Sequence, residues 1–185
     1  LRGIAVLGST VYAWRDNAGA TACVIHKSSA AGWVAVDLMR ELSFTAGSGT
    51  APAEGATITK GTTTAVVKRV VTQTGSWTGG TAAGRLIVTT VVNGPFTAGA
   101  FTAGMTGTVS GADTAITLLP GGRLDHAVYN FAGSTLTQRI YGADGVNKGF
   151  EFDGTVYVPI STGMVTDKPV HCTAHKNHLF FTFEG

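Results

Sequence analysis

Thr10-Val11-Tyr12-Ala13-Trp14, followed by Gly32-Trp33-Val34-Ala35-Val36-Asp37, decides how this chain is read, because similar blocks return far downstream. The later blocks are Ala127-Val128-Tyr129-Asn130-Phe131 and Gly149-Phe150-Glu151-Phe152-Asp153. One offset of 117 residues relates Val11 to Val128, Tyr12 to Tyr129, Trp14 to Phe131, Gly32 to Gly149 and Trp33 to Phe150. A single offset linking two separate blocks predicts repeated β modules interrupted by an insertion. Repeated sheets commonly form scaffolds and interaction surfaces.

Composition supports a β-rich chain. Charged residues make up 13% of the 185 residues, Gly numbers 26 and Pro only 5. Thr, Ala, Val and Gly dominate, which suits short strands joined by glycine turns. An apolar share of 44% with a net charge of +2 argues against disorder. So little surface charge predicts that much of the surface meets protein neighbours. The basic residues are scattered, with Lys68-Arg69 the one adjacent pair, which gives no signal for nucleic acid. No apolar run reaches membrane-span length, and Leu86-Ile87-Val88 is broken by Thr89-Thr90. The start, close to Ile4-Ala5-Val6-Leu7, lacks an initiator Met and a signal-like core, so we expect a fragment, a processed product or part of a longer protein. Cys23 and Cys172 lie among apolar residues and read as buried thiols, although the sequence leaves a disulfide between them open.

Along the chain, residues 1–44 read as four strands: Ile4–Leu7, Val11–Arg15, Thr21–His26 and Trp33–Asp37. Leu38-Met39-Arg40-Glu41-Leu42 reads as one helical turn. Residues 45–120 carry only Glu54, Lys60, Lys68, Arg69, Arg85 and Asp113 as charges. Strands are expected there at Ala56–Lys60, Thr63–Thr72, Arg85–Val92, Thr106–Ser110 and Ala115–Leu119, forming an inserted small barrel or sandwich. Residues 121–185 return to the first pattern. Hairpins are expected from Asp125–Phe131 with Leu136–Tyr141, Phe150–Asp153 with Val156–Ile160, and Val170–Ala174 with His178–Phe183. The fold expectation is therefore all-β, with antiparallel blade-like sheets at both ends of an inserted barrel.

Candidate chemistry is sparse. His171, His175 and His178 cluster near Cys172, but on a strand–turn–strand His171 and Cys172 face opposite ways, so polar turn residues are the better reading than zinc ligands. Asp144-Gly145-Val146-Asn147 lacks the alternating ligands of a calcium loop. Glu151 and Asp153 share one strand face, yet neighbours two apart aim in parallel rather than flanking a sugar. No Gly-x-Ser-x-Gly elbow is present. The reading is of no enzyme, no cofactor and no metal. Tyr12, Trp14, Trp33 and Tyr129 are expected to fill the core between sheets. Trp77, in Thr74-Gly75-Ser76-Trp77-Thr78-Gly79-Gly80, stands at a loop tip and is the leading contact candidate. Leu179, Phe180, Phe181 and Phe183 make the last strand so apolar that it is expected to pair with further sequence or another subunit.

Thr10-Val11-Tyr12-Ala13-Trp14-Arg15-Asp16-Asn17, Ala31-Gly32-Trp33-Val34, the run Arg139–Thr155 and His175-Lys176-Asn177-His178-Leu179-Phe180-Phe181 together resemble structural proteins of tailed bacteriophage particles. The resemblance is to large tail-hub or tail-associated proteins with propeller-like β modules. Ser76–Ile87 is similar to the Gly- and Thr-rich inserts of phage virion proteins. It implies a virion component of the tail or neck, assembled in the host cytoplasm, with other virion proteins and copies of itself as partners. The alternative is a module that binds a host-surface glycan or receptor. A glycan-active enzyme using Glu151 and Asp153 ranks third.

Overall fold

The alternating β-branched and aromatic stretches are extended in the structure, a computed structural model that describes residues 1–131, 133, 134 and 137–184. No α-helix occurs among the described residues. The protein is all-β and antiparallel. It divides into two units: a flanking unit, Leu1–Asp37 with Thr117–Gly185, and an inserted unit, Leu38–Ile116.

The flanking unit begins with a four-stranded meander of β1 (Gly3–Leu7), β2 (Thr10–Asp16), β3 (Cys23–Ser29) and β4 (Gly32–Ala35). Gly8, at φ +58°, supplies the left-handed backbone that closes the first hairpin. Asn17 closes the second, its Oδ1 accepting the backbone N–H of Thr21 at 2.9 Å.

The inserted unit holds β5 (Arg40–Ser48), β6 (Thr57–Lys60), β7 (Thr63–Thr74), β8 (Ala82–Val88), β9 (Gly99–Ala100), β10 (Thr106–Val109) and β11 (Thr114–Ala115). Strand order is β6-β7-β8-β5-β10-β9, with β11 on β5. The two ends of this sheet approach each other: Thr59 donates to Ala103 O at 3.0 Å, and Thr102 donates to Thr59 O at 2.8 Å. The sheet is thereby a nearly closed barrel around Leu42, Phe44, Ile58, Val67, Leu86, Val88, Phe96 and Val109.

The structure departs from three expectations. Leu38–Leu42 is not a helical turn, because Arg40, Glu41 and Leu42 pair with Val88, Ile87 and Leu86 and the Leu42 side chain enters the barrel core. β5 also runs through the expected boundary at residues 44 and 45, so the inserted unit starts at Leu38. The Ala115–Leu119 strand shrinks to Thr114–Ala115, since Leu118 instead makes an isolated bridge to Cys23 in the flanking unit.

The flanking unit resumes with β12 (Asp125–Tyr129), β13 (Arg139–Ala143), β14 (Phe150–Phe152) and β15 (Tyr157–Pro159), a second four-stranded meander. A terminal hairpin follows, β16 (His171–His175) with β17 (His178–Thr182), its turn made by Lys176 and Asn177 at φ +46° and +61°. Leu136, expected in the first of these hairpins, lies outside the described residues.

The two meanders correspond strand for strand, although not by the offset read from the sequence. Their registers match Ala5 to Ala127, Tyr12 to Tyr141, Lys27 to Glu151 and Val34 to Val158. The 117-residue offset instead sets β2 against β12, the second strand of one sheet against the first of the other. Loops of unequal length separate the strands, so no single offset can relate the two sheets.

Their aromatic residues meet in one core. Trp14 stacks on Phe150 with ring centroids 5.8 Å apart, and Tyr12 meets Phe152 edge to face at 5.1 Å. Phe150 in turn stacks on the buried Tyr157 at 4.8 Å. Tyr12 also donates its hydroxyl to Gly154 O at 3.3 Å.

Candidate functional site

Hydrogen-bond phase exposes one strand edge. Val36 donates to Ile25 O at 2.8 Å, so Lys27 and Val34 form the next bonded pair of that ladder. By alternation, the N–H and C=O groups of Trp33 and Ala35 point away from β3, toward the open side of β4. All four β4 residues are exposed, and none is charged. Trp33 is 56% exposed, which corrects its expected place in the core; Tyr12 and Trp14 are buried as expected. The sheet face that carries Trp33 also shows Ile4 and Val6 to solvent.

The corresponding edge of the second meander is closed. Ile160 donates to Gly149 O at 2.6 Å, which by the same alternation turns Tyr157 and Pro159 outward. Pro159 has no N–H to offer, and Tyr157 and Val158 are buried. Proline and burial are ways in which native sheets block edge pairing. Trp33-Val34-Ala35 thus occupies in one sheet the place that Tyr157-Val158-Pro159 holds in the other, without the protection.

The terminal hairpin supplies a second surface. Leu179, Phe181 and Phe183 are half-buried, while Phe180 is 51% exposed. Phe181 lies over Gly149, where an added Cβ would stand 2.6 Å from the ring. Gly149→Ala should therefore destabilise the unit by about 1–3 kcal/mol, as overpacking does, measured by urea unfolding. Cys172 anchors the same hairpin: its N–H donates to Asp125 Oδ2 at 3.0 Å and its thiol to Tyr141 O at 3.3 Å. Burial and the nearby Asp125 carboxylate push this thiol up to about 11. Burial also raises Cys23 to about 11. Both cysteines are free and buried. His171, His175 and His178 are exposed and share the hairpin face opposite Cys172.

Trp77 is not a bare loop tip. Its ring stacks on Phe44 with centroids 5.2 Å apart, its Nε1 donates to Thr72 Oγ1 at 2.9 Å, and it packs against the barrel core. Beside that loop runs an open groove of about 490 Å³ between Ser48–Thr50 and Ala100–Gly107. Ser48, Thr50, Thr102 and Thr106 line it together with Phe101 and Met105, and no ionisable residue does.

The carboxylates singled out in the sequence have internal work. Glu151 accepts from Arg139 Nε at 3.1 Å. Asp153 Oδ1 accepts the backbone N–H of Thr155 and Val156, shaping the β14–β15 turn. Asp144 accepts from Val146 and Asn147 in the same manner, and Asn147 holds Leu119 through both amide atoms. No group of three metal-ligating side chains occurs among the described residues.

No family model matches the chain, and no curated protein or solved structure matches it. The exposure of Trp33, Ile4 and Val6 was not anticipated from the sequence. The uncharged run Gly32–Val36 was the available signal, because an edge strand normally carries Lys, Glu or Pro.

Proposed function

We propose that the chain is a structural component of a bacteriophage particle, of the tail or neck, acting by protein–protein assembly. The particle context rests on the sequence resemblance. The observation that supports assembly is the placement of exposed apolar side chains. Leu1, Ile4, Val6, Trp33, Val34, Leu119, Val128, Met164, Val165 and Phe180 all belong to the flanking unit, whereas Val92 is the inserted unit's one exposed large hydrophobic among the described residues. Apolar surface of this kind, beside an unprotected strand edge, favours burial against protein partners. Few charges need be desolvated when it is covered.

The test is incorporation. A chain carrying Trp33→Ser and Phe180→Ser should keep its fold, since both side chains are exposed, yet its copy number in purified particles should fall at least tenfold by quantitative mass spectrometry. Incorporation equal to wild type would refute assembly through this surface.

The uncharged groove lined by serine and threonine residues favours a second reading, a module for a neutral polar ligand such as a host-surface glycan. Trp77 would support the groove wall from its place on Phe44 rather than stack on the sugar. Glycan-array binding that is lost in Thr102→Val with Thr106→Val would favour this reading over assembly.

A further inference from the structure

We propose that β4 pairs with β4 of a second copy of this chain, antiparallel about a twofold axis at Val34, joining two four-stranded sheets into one of eight strands. The inference rests on the assembly reading and names its first partner.

Register carries the argument. The outward backbone groups belong to Trp33 and Ala35, the two residues flanking Val34. An antiparallel partner related by a twofold axis at Val34 sets Trp33 opposite Ala35 of the partner copy and Ala35 opposite its Trp33. Each of these pairs exchanges two N–H···O=C bonds, so all four outward donors and all four acceptors find partners. Any other centre leaves some of them unmatched within this short strand or brings the turn residues Ala30 and Ala31 into the ladder.

Side chains fit the same arrangement. The exposed Trp33 indole lies across from the small Ala35 methyl, and Val34 faces Val34 on the other side of the sheet. Aromatic and β-branched cross-strand pairs of this kind stabilise sheets, whereas like charges directly opposite oppose pairing. Gly32–Val36 carries no charge. Asp37 falls opposite Ala31 of the partner copy, not opposite its own mate. The closed edge at β15 gives the internal contrast, because Pro159 there occupies the place of Ala35.

A four-residue edge buries less surface than a stable dimer requires, so self-pairing is concentration-dependent in isolation and gains strength where copies are held close.

The test is sedimentation velocity of the full chain from ~1 μM to ~1 mM, spanning weak self-association. Wild type should shift from monomer toward dimer. Ala35→Pro, which copies Pro159, removes two of the four inter-chain donors without touching a bond to β3, and should weaken dimerisation at least tenfold with an unchanged circular dichroism spectrum. As a positive test, Val34→Cys should give a disulfide-linked dimer on mild oxidation, with peptide mass spectrometry placing the crosslink between the two substituted positions and finding Cys23 and Cys172 unmodified. Monomeric wild type at every concentration, or a dimer untouched by Ala35→Pro, would overturn the proposal. A chain that is monomeric in solution yet incorporated into particles refutes self-pairing and leaves the assembly reading standing. One that dimerises through β4 but is absent from particles does the reverse.

Discussion

Trp14→Ala should lower the stability of the flanking unit by about 3–5 kcal/mol, the cost of deleting a large aromatic side chain from a packed core. Trp14 is 2% exposed and stands where the two meanders meet, stacked on Phe150 and edge-on to Phe152. The cavity would be walled by rings that are themselves stacked on one another, Phe150 on Tyr157 among them, and such a wall collapses poorly. The indole Nε1 is buried without a hydrogen-bond partner among the described residues. Phe at this position removes that unsatisfied donor, so Trp14→Phe should cost less than half as much as Ala. Guanidinium unfolding monitored by circular dichroism measures both. A loss under ~1 kcal/mol for the alanine variant would mean that the aromatic core does not hold the meanders together.

The second large effect is expected in the inserted unit. Asp113→Ala should destabilise the barrel by about 1–3 kcal/mol, because it leaves the buried Phe96 N–H unpaired and takes the carboxylate partner from Arg40. The Asp113 side chain is 1% exposed, pairs with the Arg40 guanidinium, and accepts the buried Phe96 N–H at 2.8 Å. Burial by itself would raise the Asp113 carboxyl. The Phe96 N–H and Arg40 outweigh that and hold it below the ordinary aspartate range. A carboxylate lowered on folding stabilises the folded state above its unfolded pKa, and that contribution is lost as pH falls through the folded value. Barrel stability should therefore decline on acidification below about pH 4, and the decline should be shallower in Asp113→Asn. Unfolding curves from pH 7 to pH 2 measure this. Equal slopes in the two proteins would remove Asp113 from the acid response.

Much of the fold was legible in the sequence because its signals are local. Gly8, Asn17, Gly154 and the Lys176–Asn177 pair mark turns by their own backbone needs, and the runs between them alternate as strands do. What failed depended on distant partners. Arg40 and Glu41 lie in the run read as a helical turn, yet their partners are Asp113 and Arg85, brought close only by the barrel. Trp77 sits in a glycine-rich loop that reads as exposed, and the ring that stacks on it, Phe44, lies on the distant strand β5.

The site was less legible than the fold. Alternation shows that a strand has two faces, but not which face a second sheet will cover. Tyr12 and Trp14 gained the Phe150 and Phe152 rings, while Trp33, on the edge strand, gained no cover. The phase of the β3–β4 ladder, which decides where the free backbone groups of β4 point, is likewise a property of paired strands. The repeat was seen through its aromatics but misaligned, because Tyr129 imitates Tyr141 and the loops before them differ in length.

Immunogold electron microscopy of phage particles released from the source cells, with antibody raised against this chain, tests the assembly claim most directly. The account predicts gold confined to the tail or neck. Particles that remain unlabelled both intact and after mild disruption, with purified chain labelled on the same grid, would contradict it.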